Sequence, residues 1–152
     1  MSREHYELML AELGRAAGLP LEADDTGYSS LEVDGTLVAN MQYVSESDSI
    51  YIFYELGRIE SHVLGRVCER LLAANLFGVE TGGGVLAMHS ESHEVVFSYS
   101  ASAAEPDTVR FQRIVENTLR YAEYWKAELE SMNADTFQEM PETDPRLTMI
   151  RA

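Results

Sequence analysis

Between Arg3 and Pro20 the chain reads REHYELMLAELGRAAGLP, in which Tyr6, Met9, Leu10, Leu13 and Ala17 recur at the three-and-four spacing of one helical face. Gly18 and Pro20 supply the stop signal. From Tyr28 the period changes to two. Leu31 and Val33, then Leu37, Ala39, Met41 and Tyr43, share one face, while Val38, Asn40 and Gln42 share the other. Between them stands Asp34-Gly35, a pair that accepts positive φ and predicts a tight hairpin. After the polar SESDS, the segment SIYIFYEL predicts a third strand in which Ile50, Ile52 and Tyr54 alternate with Tyr51 and Phe53. Both faces of that strand are apolar. An antiparallel strand usually keeps one wet face, so the second face calls for a cover: a helix, a partner subunit or a ligand.

A second helix is expected over about residues 60–76, with Val63, Leu64, Val67, Cys68, Leu71 and Leu72 on one stripe. VLAMH and EVVFSY then read as two short strands joined by Ser90 to His93. The start of a long third helix is marked either by Ser102 to Glu105 as a capping box or by Pro106 in the first turn with Asp107 beside it. Phe111, Ile114, Val115, Thr118, Leu119, Ala122, Trp125 and Leu129 keep its period. Beyond Met132 the pattern is lost, and Pro141, Pro145 and the acids Asp135, Glu139, Glu142 and Asp144 predict an acidic, flexible tail over 133–152. The expectation is an α+β fold, helix-strand-strand-strand-helix-strand-strand-helix. Residues 1–132 would form a single domain with an antiparallel twisted sheet flanked by helices.

Charge narrows the partners. With 26 Asp plus Glu against 11 Lys plus Arg, the net charge of -15 repels nucleic-acid backbones and anionic membrane surfaces. Cys68 is the only cysteine, which leaves no intrachain disulfide and no cysteine-rich zinc site. No apolar run approaches the ~20 residues that span a bilayer, and MSREHYELML lacks the features of a signal peptide. A cytoplasmic protein without membrane insertion is expected.

Several residues invite a chemical reading. Gly82, Gly83 and Gly84 follow a helix and precede a strand, the reverse of the order a phosphate loop needs, and no Gly-Lys-Ser/Thr is present. They read instead as a chain reversal with room for close packing. His89 and His93 have the spacing of paired zinc ligands on a helix, but their flanks alternate as strands and a turn lies between them. His5 and His62 stand without a nucleophile, and Asp24-Asp25 are loop neighbours that do not flank a substrate. Tyr121, Tyr124 and Trp125 are surrounded by acids, the wrong field for stacking bases. The residues predict no catalytic site, no metal and no cofactor.

LLAANLFGVETGGGVLAMHSESHEVVFSY, set in this order of elements, resembles the class I type III secretion chaperones, the Tir chaperone family. The residues that carry the resemblance are Leu72, Asn75, Leu76, Thr81, Gly82 and Gly83, then Val85 to His89 and Glu94 to Tyr99. The resemblance implies a homodimeric chaperone, not an enzyme. Such a chaperone binds the N-terminal, non-globular segment of a secreted effector and keeps it soluble and competent for export. The alternative is a non-catalytic regulatory or adaptor domain of the same fold that binds a folded partner. Two-sided apolar strands and the stripe Val63, Val67 and Leu71 exceed what one small sheet covers, and with the resemblance they place the dimer interface on the second helix. The effector surface is expected on the first helix and first sheet, at Leu10, Leu13, Leu31, Val33, Leu37, Met41, Ile50 and Ile52.

Overall fold

Asp34 and Gly35 both take positive φ, 51° and 68°, and close the hairpin between β1 (Tyr28–Val33) and β2 (Leu37–Val44) as the dipeptide dictates. The computed structural model describes residues 2–104 and 106–135, so the expected tail lies almost wholly outside the described residues. Helix α1 (Ser2–Ala17) precedes the hairpin, and β3 (Ser49–Arg58), α2 (Leu64–Ala74), β4 (Val85–Met88), β5 (Glu94–Ser102) and α3 (Thr108–Ala134) follow it. This is the order read from the sequence. Every pairing is antiparallel, and the five strands lie side by side as β1-β2-β3-β5-β4.

Two boundaries differ in instructive ways. The second helix is shorter than the 60–76 expected, because Ser61–Val63 forms a separate short turn, Asn75 ends the helix and a tight turn over Leu76–Gly78 holds Phe77 at a φ of 57°. The third helix starts at Thr108 and is capped by Asp107, whose Oδ1 accepts the Arg110 N–H at 2.7 Å, so the start lies at the second candidate but with Pro106 before the cap and not in the first turn.

One face of the sheet meets the helices. Tyr6, Met9, Leu10 and Leu13 of α1 and Phe111, Val115, Trp125 and Leu129 of α3 are buried with Leu31, Met41, Ile50, Ile52, Tyr54 and Leu56 of the strands. Val67 and Leu71 bring α2 into the same core. Side chains of this size contribute about 1.5–3 kcal/mol each when fully buried. The core also encloses the hydroxyls of Thr118 and Tyr54, which satisfy each other, as most buried polar groups are satisfied. The Thr118 hydroxyl donates to the Val115 carbonyl at 3.0 Å, and the Tyr54 hydroxyl lies 2.8 Å from Thr118 Oγ1.

Burial pushes the Tyr54 hydroxyl up to about 12, and burial raises Tyr6 as well. A raised folded-state value means that the protonated tyrosine favours the native state. That contribution is complete below the unfolded value of about 10 and is lost as pH rises from there through about 12. Denaturant unfolding should therefore show stability falling across pH 10 to 12, and Tyr54→Phe should remove part of that fall while costing about 1 kcal/mol at neutral pH. An identical alkaline profile in the variant would contradict the assignment.

Candidate functional site: the open face of the sheet

Register fixes what the second face carries. Ser30, Asn40, Phe53, Ser98 and Val85 form one row across the five strands. Tyr28, Gln42, Tyr51 and Ser100 form the next, Glu32 pairs with Val38, and Glu55, Val96 and Ala87 form another. Among the described residues nothing lies over this face: Tyr51 is 41% exposed and Val38 and Val85 are also open to solvent. Phe53, Glu55, Ala87, Met88, His89 and Val96 line a shallow depression of about 380 Å³ at one end. Asn40 stiffens the floor. Its Nδ2 donates to the Phe53 and Val38 carbonyls and its Oδ1 accepts from the Tyr28 hydroxyl at 2.6 Å.

The two edges of the sheet are treated differently. On β4, Leu86 directs its N–H and C=O away from β5, and the Asn75 carboxamide takes both, at 2.9 and 2.8 Å. A side chain there stands in for a strand. On β1, Tyr28 turns its backbone outward and is satisfied by Asp24, whose Oδ1 accepts its N–H at 3.0 Å and whose N–H donates to its carbonyl at 2.9 Å. Antiparallel pairing repeats this direction every second residue, so Ser30 and Glu32 also present N–H and C=O outward. No described residue pairs with them. An extended chain added here would place alternate side chains on the apolar outer face.

Each residue expected on the effector surface has a definite place in the fold. Leu10, Leu13, Leu31, Leu37, Met41, Ile50 and Ile52 are buried, and Val33 is half-buried against the core. They hold the sheet to its helices. Period-two alternation shows which residues share a face but not which face the helices take. The outer face carries Tyr28, Val38, Tyr51, Phe53, Val85 and Val96, of which the sequence had noted the apolar character of Tyr51 and Phe53. Val63, Val67 and Leu71 are likewise buried inside the chain. The residues of that segment left in solvent are Leu72, Leu76, Phe77 and Val79.

The other flagged residues have structural roles. A Cβ on Gly82 would lie 2.4 Å from the Tyr121 ring and one on Gly84 2.5 Å from the Phe97 ring, so these glycines permit close packing. His93 takes a φ of 59° and donates its N–H to the His89 carbonyl at 2.9 Å, so both histidines belong to the β4–β5 turn. Among the described residues no three His, Cys, Asp or Glu side chains are grouped to hold a metal ion, and no helix is long and apolar enough to cross a membrane. The Asp24 carboxyl sits below its ordinary range because it accepts from the Thr26 hydroxyl and from the Tyr28 backbone, and Glu80 is lowered by its hydrogen bonds from Arg70. Neither lines the depression. The outer face thus offers apolar contact and backbone hydrogen bonds.

A model of the Tir chaperone protein (CesT) family matches residues 9–126. No curated protein sequence matches the chain significantly. Among solved structures, the HopA1-SchA chaperone-effector complex contains a chain 19% identical, with a TM-score of 0.69 over 84% of this chain and 97% of that one. The ExsC-ExsE complex contains one 21% identical, with a TM-score of 0.71 over 83% and 94%. The heterodimeric ExoU-SpcU complex from the type III secretion system of Pseudomonas aeruginosa contains one 17% identical, with a TM-score of 0.64 over 86% and 98%. These likenesses establish the fold.

Adjacent residues of β3 test which face is which. Ile52→Ala should cost about 2–5 kcal/mol in denaturant unfolding, whereas Phe53→Ser should cost under about 1.5 kcal/mol. Equal losses at the two positions would show that the outer face is covered.

Proposed function

The chain belongs to the Tir chaperone protein (CesT) family, and on that premise we propose that it holds the N-terminal, non-globular segment of a type III secreted effector on its outer sheet face. The observation that carries this reading is an apolar sheet face left open beside a free strand edge, on a chain of net charge -15. Exposed apolar surface of this kind marks an interaction site, and strong like charge keeps the protein dispersed while it waits for its partner. An extended segment pairs its backbone with Ser30 and Glu32 and lays apolar side chains over Tyr51, Phe53 and Val38. The effector contributes the ordering cost of a segment with no fold of its own, so affinity has to come from many modest contacts.

On this reading the protein works in the cytoplasm, catalyses no reaction and requires no cofactor or nucleic acid. It acts as a homodimer, with the uncovered side of α2, including Leu72, turned to the second copy. Residues 1–132 form its folded chaperone unit.

Affinity capture from the native host, followed by mass spectrometry and limited proteolysis, tests the reading. The expected result is one secreted protein, protected over an N-terminal segment. Phe53→Asp should reduce its recovery about tenfold or more without unfolding the chaperone. Recovery of a folded cytosolic partner would support the adaptor alternative and refute the chaperone.

A further inference from the structure

Cations are scarce on this chain, 11 Lys plus Arg against 26 Asp plus Glu, and α3 gathers several of them along one line. Arg110, Arg113, Asn117, Arg120 and Tyr124 are exposed and follow each other three or four residues apart, so they form a single stripe down the helix. Among the described residues none of the three arginines pairs with a carboxylate. Glu116, which lies between Arg113 and Arg120, accepts from Gln112 Nε2 at 3.1 Å instead, and the Arg120 guanidinium bonds to Asn117 on its own helix. Such a row of guanidiniums without counter-charges repels itself and attracts an acidic chain.

The same stripe forms one wall of a groove. Glu80, Gly82, Asn117, Arg120, Tyr121 and Tyr124 enclose about 640 Å³ between α3 and the turn behind α2. Its one acid is already engaged: both Glu80 carboxylate oxygens accept from Arg70, at 2.9 and 3.1 Å. What the groove offers a ligand is two tyrosine rings and a guanidinium, which suit an apolar side chain followed by an acid. The end of α3 delivers the chain to this side of the molecule. Asn133 ties the last turn to the backbone of Arg58 and Glu60, and Arg66 of α2 forms an ion pair with Asp135, so the chain leaves the described residues between α2 and α3. The groove opens along the same seam, where Arg70 of α2 lies over the Trp125 ring of α3 and binds Glu80.

We propose that the acidic segment 137–144 of the same chain lies back along α3 in this groove, with Met140 against the Tyr121 and Tyr124 rings, Glu142 on Arg120 and Asp144 on Arg113. This contact lies outside the proposed function and forms whether or not an effector binds the sheet. The lengths agree. Tyr124, Arg120 and Arg113 lie about 15, 21 and 32 Å along the axis from the end of α3 at Ala134. An extended chain leaving Asp135 covers about 17 Å by Met140, about 23 Å by Glu142 and about 30 Å by Asp144, at ~3.3 Å per residue. Pro141 and Pro145 disfavour helix at the residues before them, which keeps such a segment extended. The segment carries Glu139, Glu142 and Asp144 and no basic residue, the complement of the stripe, and a methionine thioether suits the ring edges. Being tethered, it also acts at a high effective concentration, which a separate chain of the same charge lacks.

A nitroxide attached at Thr143→Cys, in the full chain carrying Cys68→Ser so that the label has one attachment point, reads the contact by NMR. The amides of Arg113, Asn117, Arg120 and Tyr124 should broaden while those of α1 and β1 stay sharp. Salt at ~1 M, which shortens the screening length to about 3 Å, should remove most of that broadening. Arg113→Glu with Arg120→Glu should abolish it without unfolding the protein, because both side chains are exposed, and adding Glu142→Lys with Asp144→Lys should restore it. Unbroadened α3 amides in the labelled parent, or a charge swap that restores nothing, overturn the proposal. Broadening of an isotope-labelled copy by the nitroxide of a separate copy also overturns it, because the segment would then lie on another molecule.

Discussion

Ile50, Ile52, Tyr54 and Leu56 commit one face of the central strand to helices α1 and α3, and the other features depend on that commitment. Once those residues are buried, alternation forces Tyr51, Phe53 and Glu55 to the opposite side. The described helices lie on the core side or against β4, and none remains for the second face. A two-layer fold of this length accordingly leaves a sheet face bare. On the proposed function its apolar residues are the binding surface, and the acid surplus keeps the molecule dispersed while that surface is open.

The edges show the same economy. Asn75 blocks β4 with a side chain that satisfies both outward groups of Leu86, while the corresponding groups at Ser30 and Glu32 on β1 have no partner among the described residues. An unpaired edge is a hazard for most proteins. Here it is confined to a short strand that carries Glu32, adjoins the apolar face, and so directs an added chain to one place. The turn from Asn75 to Gly84 joins this edge control to the far side of the molecule, because it also rests on Trp125 and faces α3.

Much of this was legible in the sequence. Tyr6, Met9, Leu10 and Leu13 mark α1 by spacing alone, Asp34-Gly35 fixes the hairpin, and the period from Phe111 to Leu129 marks α3, whose start the sequence left between two candidates. The order of elements, with the Leu71 to Tyr99 block, carried the family. The position of the site within that fold was harder to read. Alternation assigns Ile52 and Phe53 to opposite faces but is silent on which one α3 covers, since that depends on contacts far apart in the chain. Helix spacing likewise ran Leu76 into α2, when the carboxamide of Asn75 draws the chain out to β4 and turns Phe77 into solvent. The available signal was charge: Glu32 and Glu55 share the face of Val38, Tyr51 and Phe53, whereas Ile50, Ile52, Tyr54 and Leu56 alternate without a charged residue.

Hydrogen exchange of the chaperone, alone and with its effector segment bound, tests the central claim most directly. Backbone pairing along β1 predicts that the Ser30 and Glu32 amides become protected on binding while the amides of α3 are unchanged. Protection confined to α3, or absent from β1 in a complex shown to be intact, would contradict the account.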